Sequence, residues 1–172
     1  MSSWGKYQPN ESGKNSWSTA EAFEKLTTFC AYQERCSWEI RRKLYEKGIK
    51  DDKAEQLIRE LISEEFVNEE RYARSFARGK FRLKRWGRNR IRLELKMREI
   101  PEELIRKGIS EIDPDEYYDT LLTQTEKKWD STHDSDLYKK KYKVTQYLMG
   151  KGFEMDLVVE ALEGLIKKST DD

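Results

Sequence analysis

Proline is scarce in this 172-residue chain, with three in all beside nine glycines, so long stretches carry no helix breaker. The residues between are largely Ala, Leu, Glu, Lys, Arg and Gln, which favour helix and exclude an all-β or collagen-like chain. Two cysteines, Cys30 and Cys36, are too few for a disulfide framework or a zinc site, and six positions apart on one helix they would face different ways. No run approaches the roughly 18 consecutive apolar residues that a membrane helix needs, so no membrane contact is expected. The opening segment MSSWGKYQPNESGKNSWS has no apolar core of the kind an export signal requires, and the expected location is the cytoplasm. The single histidine, His133, lies in a polar stretch from 130 to 136 and reads as an exposed loop residue rather than a general base. There is no glycine-rich phosphate loop, no H-E-x-x-H and no G-x-S-x-G. No metal, cofactor or enzymatic activity is therefore expected, and the chain reads as a binding protein.

What is abundant is charge. Lys and Arg total 34 and Asp and Glu 33, a formal net charge of +1, with a mean hydropathy of −0.99. The 12% aromatic content supplies something to bury, so a folded, mostly helical protein is expected, of one domain or a few small repeats. Residues 1–17 lack periodicity and read as a flexible tail. Ser18 with Glu21 makes a capping box for a first helix over about 19–34, and Ala22, Phe23, Leu26, Phe29 and Cys30 recur at helical spacing along it. Ser37 caps a second helix that stops at Gly48, and a third follows Asp51 and Asp52.

The apolar pattern then repeats. From Ile40, apolar residues follow at Leu44, Ile49, Ala54, Leu57, Ile58 and Leu61. The same offsets from Ile91 give Leu95, Ile100, Ile105, Gly108, Ile109 and Ile112, and from Val144 they give Leu148, Phe153, Val158, Ala161, Leu162 and Leu165. Only Gly108 breaks the apolar rule. Gly48 and Gly152 occupy one equivalent position, where the middle copy has Glu99, so a different turn is expected there. Upstream helices over about 69–84 and 114–130 complete the second and third copies, the latter started by Asp113, Pro114, Asp115 and Glu116. The expected architecture is all-α, three tandem three-helix repeats over 18–67, 68–112 and 113–168, stacked into an elongated, curved body, with a C-terminal tail at 169–172.

Charge is segregated along this repeat. Between Arg71 and Arg98 lie twelve basic residues, nine of them arginine, and one acid, Glu94, while the rest of the chain is net acidic. Arg71, Arg74 and Arg78, three and four positions apart, are expected as one exposed stripe, with Tyr72, Phe76 and Phe81 on the buried side. Like charges at this spacing repel, and the guanidinium fork suits carboxylate and phosphate, so the cluster anticipates an anionic partner, either a phosphate backbone or an acidic protein surface. On that reading, reversing Arg74 and Arg78 leaves the melting temperature nearly unchanged or raises it by relieving that repulsion. Trp86 fills the core or stacks on a base, with the core favoured.

The run Asn68, Glu69, Glu70, Arg71, Tyr72, Ala73, Arg74, Ser75, Phe76, Ala77, Arg78, followed by Gly87, Arg88, Asn89, Arg90, Ile91, Arg92, Leu93, Glu94, Leu95, resembles the signature of RecX, the bacterial regulatory protein of the RecA recombinase. Ser37 to Gly48, with Trp38, Glu39, Ile40, Lys43 and Leu44, is similar to that family's opening repeat, and the resemblance covers about 19–166. Asn68 stands where an Asp is usual, and Glu99, Ile100, Pro101 stand where a Lys-Gly-Ile-like turn is expected. The resemblance implies a monomer that binds RecA, lodges in the groove of the RecA filament on single-stranded DNA, and inhibits ATP hydrolysis, strand exchange and coprotease function in DNA repair and the SOS response, with weak direct DNA binding. It makes Arg71, Arg74, Arg78, Arg82, Arg85, Arg88, Arg90 and Arg92 the contact candidates. The alternative is a stand-alone helical nucleic-acid-binding regulator, disfavoured because only the middle copy is read as basic.

Overall fold

The computed structural model describes residues 16–171, and within them the chain forms nine helices and no strand. It divides into two compact units, one ending at Asn68 and the other beginning at Glu69.

The first unit holds α1 (Thr19–Tyr32), α2 (Ser37–Glu46) and α3 (Asp51–Ser63), with α3 packed on both of the others. Ser18 caps α1 as a capping box: its N–H donates to Glu21 Oε2 at 2.8 Å, and the Glu21 N–H donates to Ser18 Oγ at 3.3 Å. The cap of α2 is Cys36 rather than Ser37, which is the first helical residue. Glu39 reaches back to accept the Cys36 N–H at 3.3 Å, and this half of the box needs only a backbone donor, so the hydroxyl one residue on is not required. Cys30 thus sits on α1 and Cys36 caps α2, and both are buried. Of the N-terminal segment read as a tail, residues 1–15 lie outside the described residues. Trp17 is no part of a tail: it packs half-buried on the core, its N–H donates to the Lys47 carbonyl at 3.1 Å, and the Lys25 and Lys47 ammonium groups face its ring at 5.1 and 5.4 Å.

The second unit holds α4 (Glu69–Lys84), α5 (Arg88–Met97), α6 (Glu102–Ile109), α7 (Pro114–Ser131), α8 (Leu137–Gly150) and α9 (Met155–Asp171). α4 packs most closely on α6, and Gly108 explains the one gap in the apolar pattern: a Cβ there would come within 2.7 Å of the Ala73 carbonyl oxygen of α4. α9 continues through Ser169 and Thr170, where a tail was expected from 169. Their hydroxyls donate back to the Leu165 and Lys167 carbonyls at 3.1 and 2.9 Å, satisfying them inside the helix.

The three copies repeat one turn as well as one apolar pattern. Leu44, Leu95 and Leu148 are fully buried at equivalent positions. In each, the leucine carbonyl accepts the N–H of the residue five on: Ile49 at 2.9 Å, Ile100 at 3.2 Å and Phe153 at 3.2 Å. This closure requires a left-handed residue just before it, and Gly48 (φ 81°), Glu99 (φ 59°) and Gly152 (φ 98°) all adopt that conformation. The middle turn is therefore built like the others, against the sequence reading, because packing of the buried Ile100 over Leu95 outweighs the roughly 1–2 kcal/mol that left-handed backbone costs a residue with a Cβ.

Truncating Leu44, Leu95 or Leu148 to Ala is expected to cost about 2–5 kcal/mol each by urea unfolding. Gly152→Ala should be strongly destabilising, since its added Cβ meets the Arg90 backbone nitrogen at 2.5 Å in addition to the positive φ. Gly164→Ala, in mid-helix with nothing within 4 Å, should instead stabilise by about 0.4–1 kcal/mol.

Candidate functional site

The arginines of α4 are held by acids from outside the basic segment. Arg74 donates to Glu70 one turn back (2.9 Å) and to Glu111, beyond the end of α6 (2.6 Å), while Arg78 reaches the other oxygen of Glu111 at 2.9 Å. Lys107 of α6 joins through Glu70 at 3.0 Å. The expected exposed stripe is thus a half-buried ion-pair ladder that ties α4 to α6, with Arg71 exposed on its first turn. The Arg74 and Arg78 guanidinium groups hold the Glu111 carboxyl below its ordinary pKa, and Lys107 and Arg74 do the same for Glu70.

The N-terminus of α5 is closed off by the third repeat. The Gly87 N–H donates to the Lys151 carbonyl at 2.7 Å, the Arg88 N–H to the Tyr117 hydroxyl at 3.1 Å, and the Asn89 N–H to the Gly152 carbonyl at 3.0 Å. Helix N-termini attract anions through such unpaired donors, and here the donors are used internally. The Arg88 guanidinium lies 3.9 Å over the Tyr117 ring and 3.5 Å from Glu154, whose other oxygen accepts the Tyr117 hydroxyl. Burial, then the hydrogen bond to Glu154, raises the Tyr117 pKa far above the usual phenol value, so the hydroxyl stays a donor. Lys151 Nζ donates to the Lys84 carbonyl at 2.9 Å, and its burial lowers its pKa.

Trp86 is half-buried, edge-on to Phe76, with the Arg90 guanidinium 4.1 Å and Lys80 Nζ 5.1 Å from its ring centroid. Arg90 also approaches the Gly150 carbonyl at 3.4 Å. Trp86 accordingly serves packing, and its ring faces are met by cations of its own chain. Of the remaining candidates, Arg82 and Arg85 lie outward. Arg82 is exposed, 3.9 Å from Glu116. Arg85 is exposed, has φ 55° at the α4–α5 turn, and lines a polar cleft with Glu116, Asp119, Thr123 and Lys127. Arg92 is half-buried and donates to Asn89 Oδ1 at 3.2 Å.

Two features escaped the sequence reading. Glu70, Glu111 and Glu154 look like ordinary surface acids in sequence, because their partners lie 33 to 66 positions away, apart from the Glu70–Arg74 pair at i, i+4. The second is apolar: Leu93 and Met97, one turn apart on α5, are 58% and 62% exposed. The repeat offsets expose this signal, since the equivalents are Arg42 and Glu46 on α2 and Gln146 and Gly150 on α8. Among the described residues, no helix is long and apolar enough to cross a membrane, and no group of three or more His, Cys, Asp or Glu could hold a metal ion.

Family models for the first, second and third three-helix domains of RecX match residues 22–61, 68–111 and 115–162. The regulatory protein RecX of Clostridium perfringens (strain 13 / Type A) is 33% identical over 120 residues, covering 69% of this chain and 56% of that protein. The Bacillus cytotoxicus protein of the same description is 26% identical over 152 residues, covering 88% of this chain and 56% of its own length. The chain therefore spans little more than half the length of these relatives. The crystal structure of RecX from Lactobacillus salivarius matches with a TM-score of 0.73 at 22% identity, over 86% of this chain and 96% of that one, a likeness of fold.

Arg74→Glu should lower the melting temperature, because it sets a third carboxylate against Glu70 and Glu111, and Glu111→Lys in the same chain should restore part of the loss, as measured by circular dichroism. Folded-state carboxyls with lowered pKa stabilise fully above the ordinary value of 4.5 and lose that contribution as pH falls through the lower folded value. Stability should therefore drop below pH 4.5 more steeply in the native chain than in Glu111→Gln.

Proposed function

Because the chain belongs to the RecX family of regulatory proteins, we propose that it binds the RecA recombinase and its filament on single-stranded DNA and inhibits recombinase, ATPase and coprotease activity. The observation that carries this reading beyond membership is the outer face of α5. Leu93 and Met97 present a paired apolar contact beside Lys96 and Arg92, on the one repeat whose arginines are concentrated. An apolar pair rimmed by cations suits an acidic protein surface better than a phosphate backbone, since buried apolar area adds affinity and the charges orient the encounter. Arg71, Arg82, Arg85 and Arg92 are proposed to meet RecA or the DNA. Arg74, Arg78, Arg88 and Arg90 are proposed to act through the shape they maintain.

The chain acts by occupying RecA surface and performs no chemistry of its own, blocking filament growth or promoting disassembly in the cytoplasm where RecA works. Added to RecA, single-stranded DNA and ATP, it should suppress DNA-dependent ATP hydrolysis. Leu93→Glu with Met97→Glu should weaken inhibition by about tenfold or more while leaving the melting temperature nearly unchanged, since both side chains are exposed. Filament binding should also weaken less steeply with salt than binding to bare single strands, whose log affinity falls by about 0.7 per phosphate neutralised for each unit of log salt. Equal affinity and equal salt slope for bare DNA and filament would overturn RecA as the specific partner and favour a stand-alone nucleic-acid-binding regulator.

A further inference from the structure

The third repeat carries a second cationic surface that the reading of a single basic repeat did not anticipate. α8 contains Lys139, Lys140, Lys141 and Lys143 and no acid anywhere from Leu137 to Gly150. Tyr138 and Tyr142, one turn apart, are 77% and 58% exposed, and Lys139 and Lys143 run one turn apart along the same outer side, away from the buried Val144 and Leu148. The nearest acids in sequence are turned to local work. Asp136 accepts the N–H groups of Tyr138 and Lys139 at 2.8 and 3.3 Å, and Asp134 accepts the Asp136 N–H at 3.0 Å and Lys143 Nζ at 2.8 Å. Lys140 and Lys128 extend the cationic surface toward α7, 4.2 Å from the Trp129 ring centroid and 4.5 Å from that of Tyr147.

We propose that this outer face of α8 binds single-stranded nucleic acid, with Tyr138 and Tyr142 stacking on unpaired bases and Lys139 and Lys140 meeting the phosphates. Exposed rings one turn apart offer planar faces that water solvates poorly, and bases on an unpaired strand offer the complementary planes. A duplex keeps those planes stacked inside, and an acidic peptide would be matched by the lysines without any ring. The cations here are lysines, point charges without a fixed fork, which suits contact with a backbone irrespective of sequence. The arginine-rich helix α4 is less suited to the same ligand, because Arg74 and Arg78 already hold carboxylates. This site is independent of the RecA reading, and its test contains no RecA.

The test is fluorescence anisotropy of a labelled oligothymidine single strand titrated with the full chain. Tyr138→Ala and Tyr142→Ala should each weaken binding by about 5- to 150-fold, the range of one lost base stack, with the salt slope unchanged. Tyr138→Phe with Tyr142→Phe should keep native affinity, because the ring is retained. Lys139→Gln should lower the salt slope by about 0.7. Tyr32→Ala, an exposed ring on α1, should change nothing, and a duplex of the same length should bind more weakly than the single strand. Unchanged melting temperatures show that the variants remain folded. The proposal is overturned if both alanine variants bind the single strand like the native chain, if Arg82→Ala and Arg85→Ala abolish binding while the α8 variants do not, or if the α8 variants lose only capture of an acidic protein.

Discussion

The approach of two turns, backbone against backbone, governs the second unit. Gly87, at the start of α5, and Gly152, between α8 and α9, lie so close that a Cβ on Gly87 would occupy the Gly152 main chain, and one on Gly152 would run into Arg90 and come within 2.9 Å of the Gly87 carbonyl oxygen. The hydrogen bonds from Gly87 to Lys151 and from Asn89 to Gly152 then fix the entry of α5 relative to the third repeat, and Tyr117 takes the donor between them. Around that contact Phe81, Tyr117 and Phe153 stack with ring centroids 5.8 and 5.4 Å apart, so the second and third repeats share one aromatic core. Spending the N-terminal donors of α5 on repeat three removes what would otherwise be an anion pocket in the most arginine-rich stretch of the chain, and it turns Leu93 and Met97 outward.

Electrostatics follows from that geometry. A helix with arginines at positions 71, 74 and 78 repels itself, and α4 folds with Glu70 and Glu111 between those cations. Each carboxylate is shared by two basic side chains, so the ladder is a network rather than a set of isolated surface pairs, which individually contribute little. The cationic surface that the basic segment leaves outward is smaller than the linear charge count implies.

The three copies keep one interior and diverge outside. The second helix of each exposes a different chemistry: mixed charge on α2 at Arg42 and Glu46, an apolar pair on α5, and lysines with tyrosines on α8. Interior positions are constrained by close packing, where one methylene is felt, whereas outer positions are free to be shaped by whatever they meet. A threefold repeat with three different faces is the pattern expected of a chain that contacts more than one kind of surface.

The core was legible in the sequence, because burial imposes a periodicity that any single copy reveals and three copies confirm: Ile40, Leu44 and Ile49 recur as Ile91, Leu95 and Ile100, and as Val144, Leu148 and Phe153. The capping box at Ser18 and the acidic start of α7 were legible because caps are local. The turn at Glu99 was not, because local propensity argues against left-handed backbone there and only the packing of Ile100 imposes it. Nor was the fate of the arginines. Charge counts are linear in sequence, but an ion pair depends on distance in space, and Arg74 meets Glu111 only after α6 has packed on α4. The amino-acid sequence by itself determined three helical units with a common core and a basic middle. Tertiary structure alone decided which of those charges are consumed inside the protein and which are left to meet a partner, since that depends on contacts 33 to 66 residues apart that no local pattern encodes.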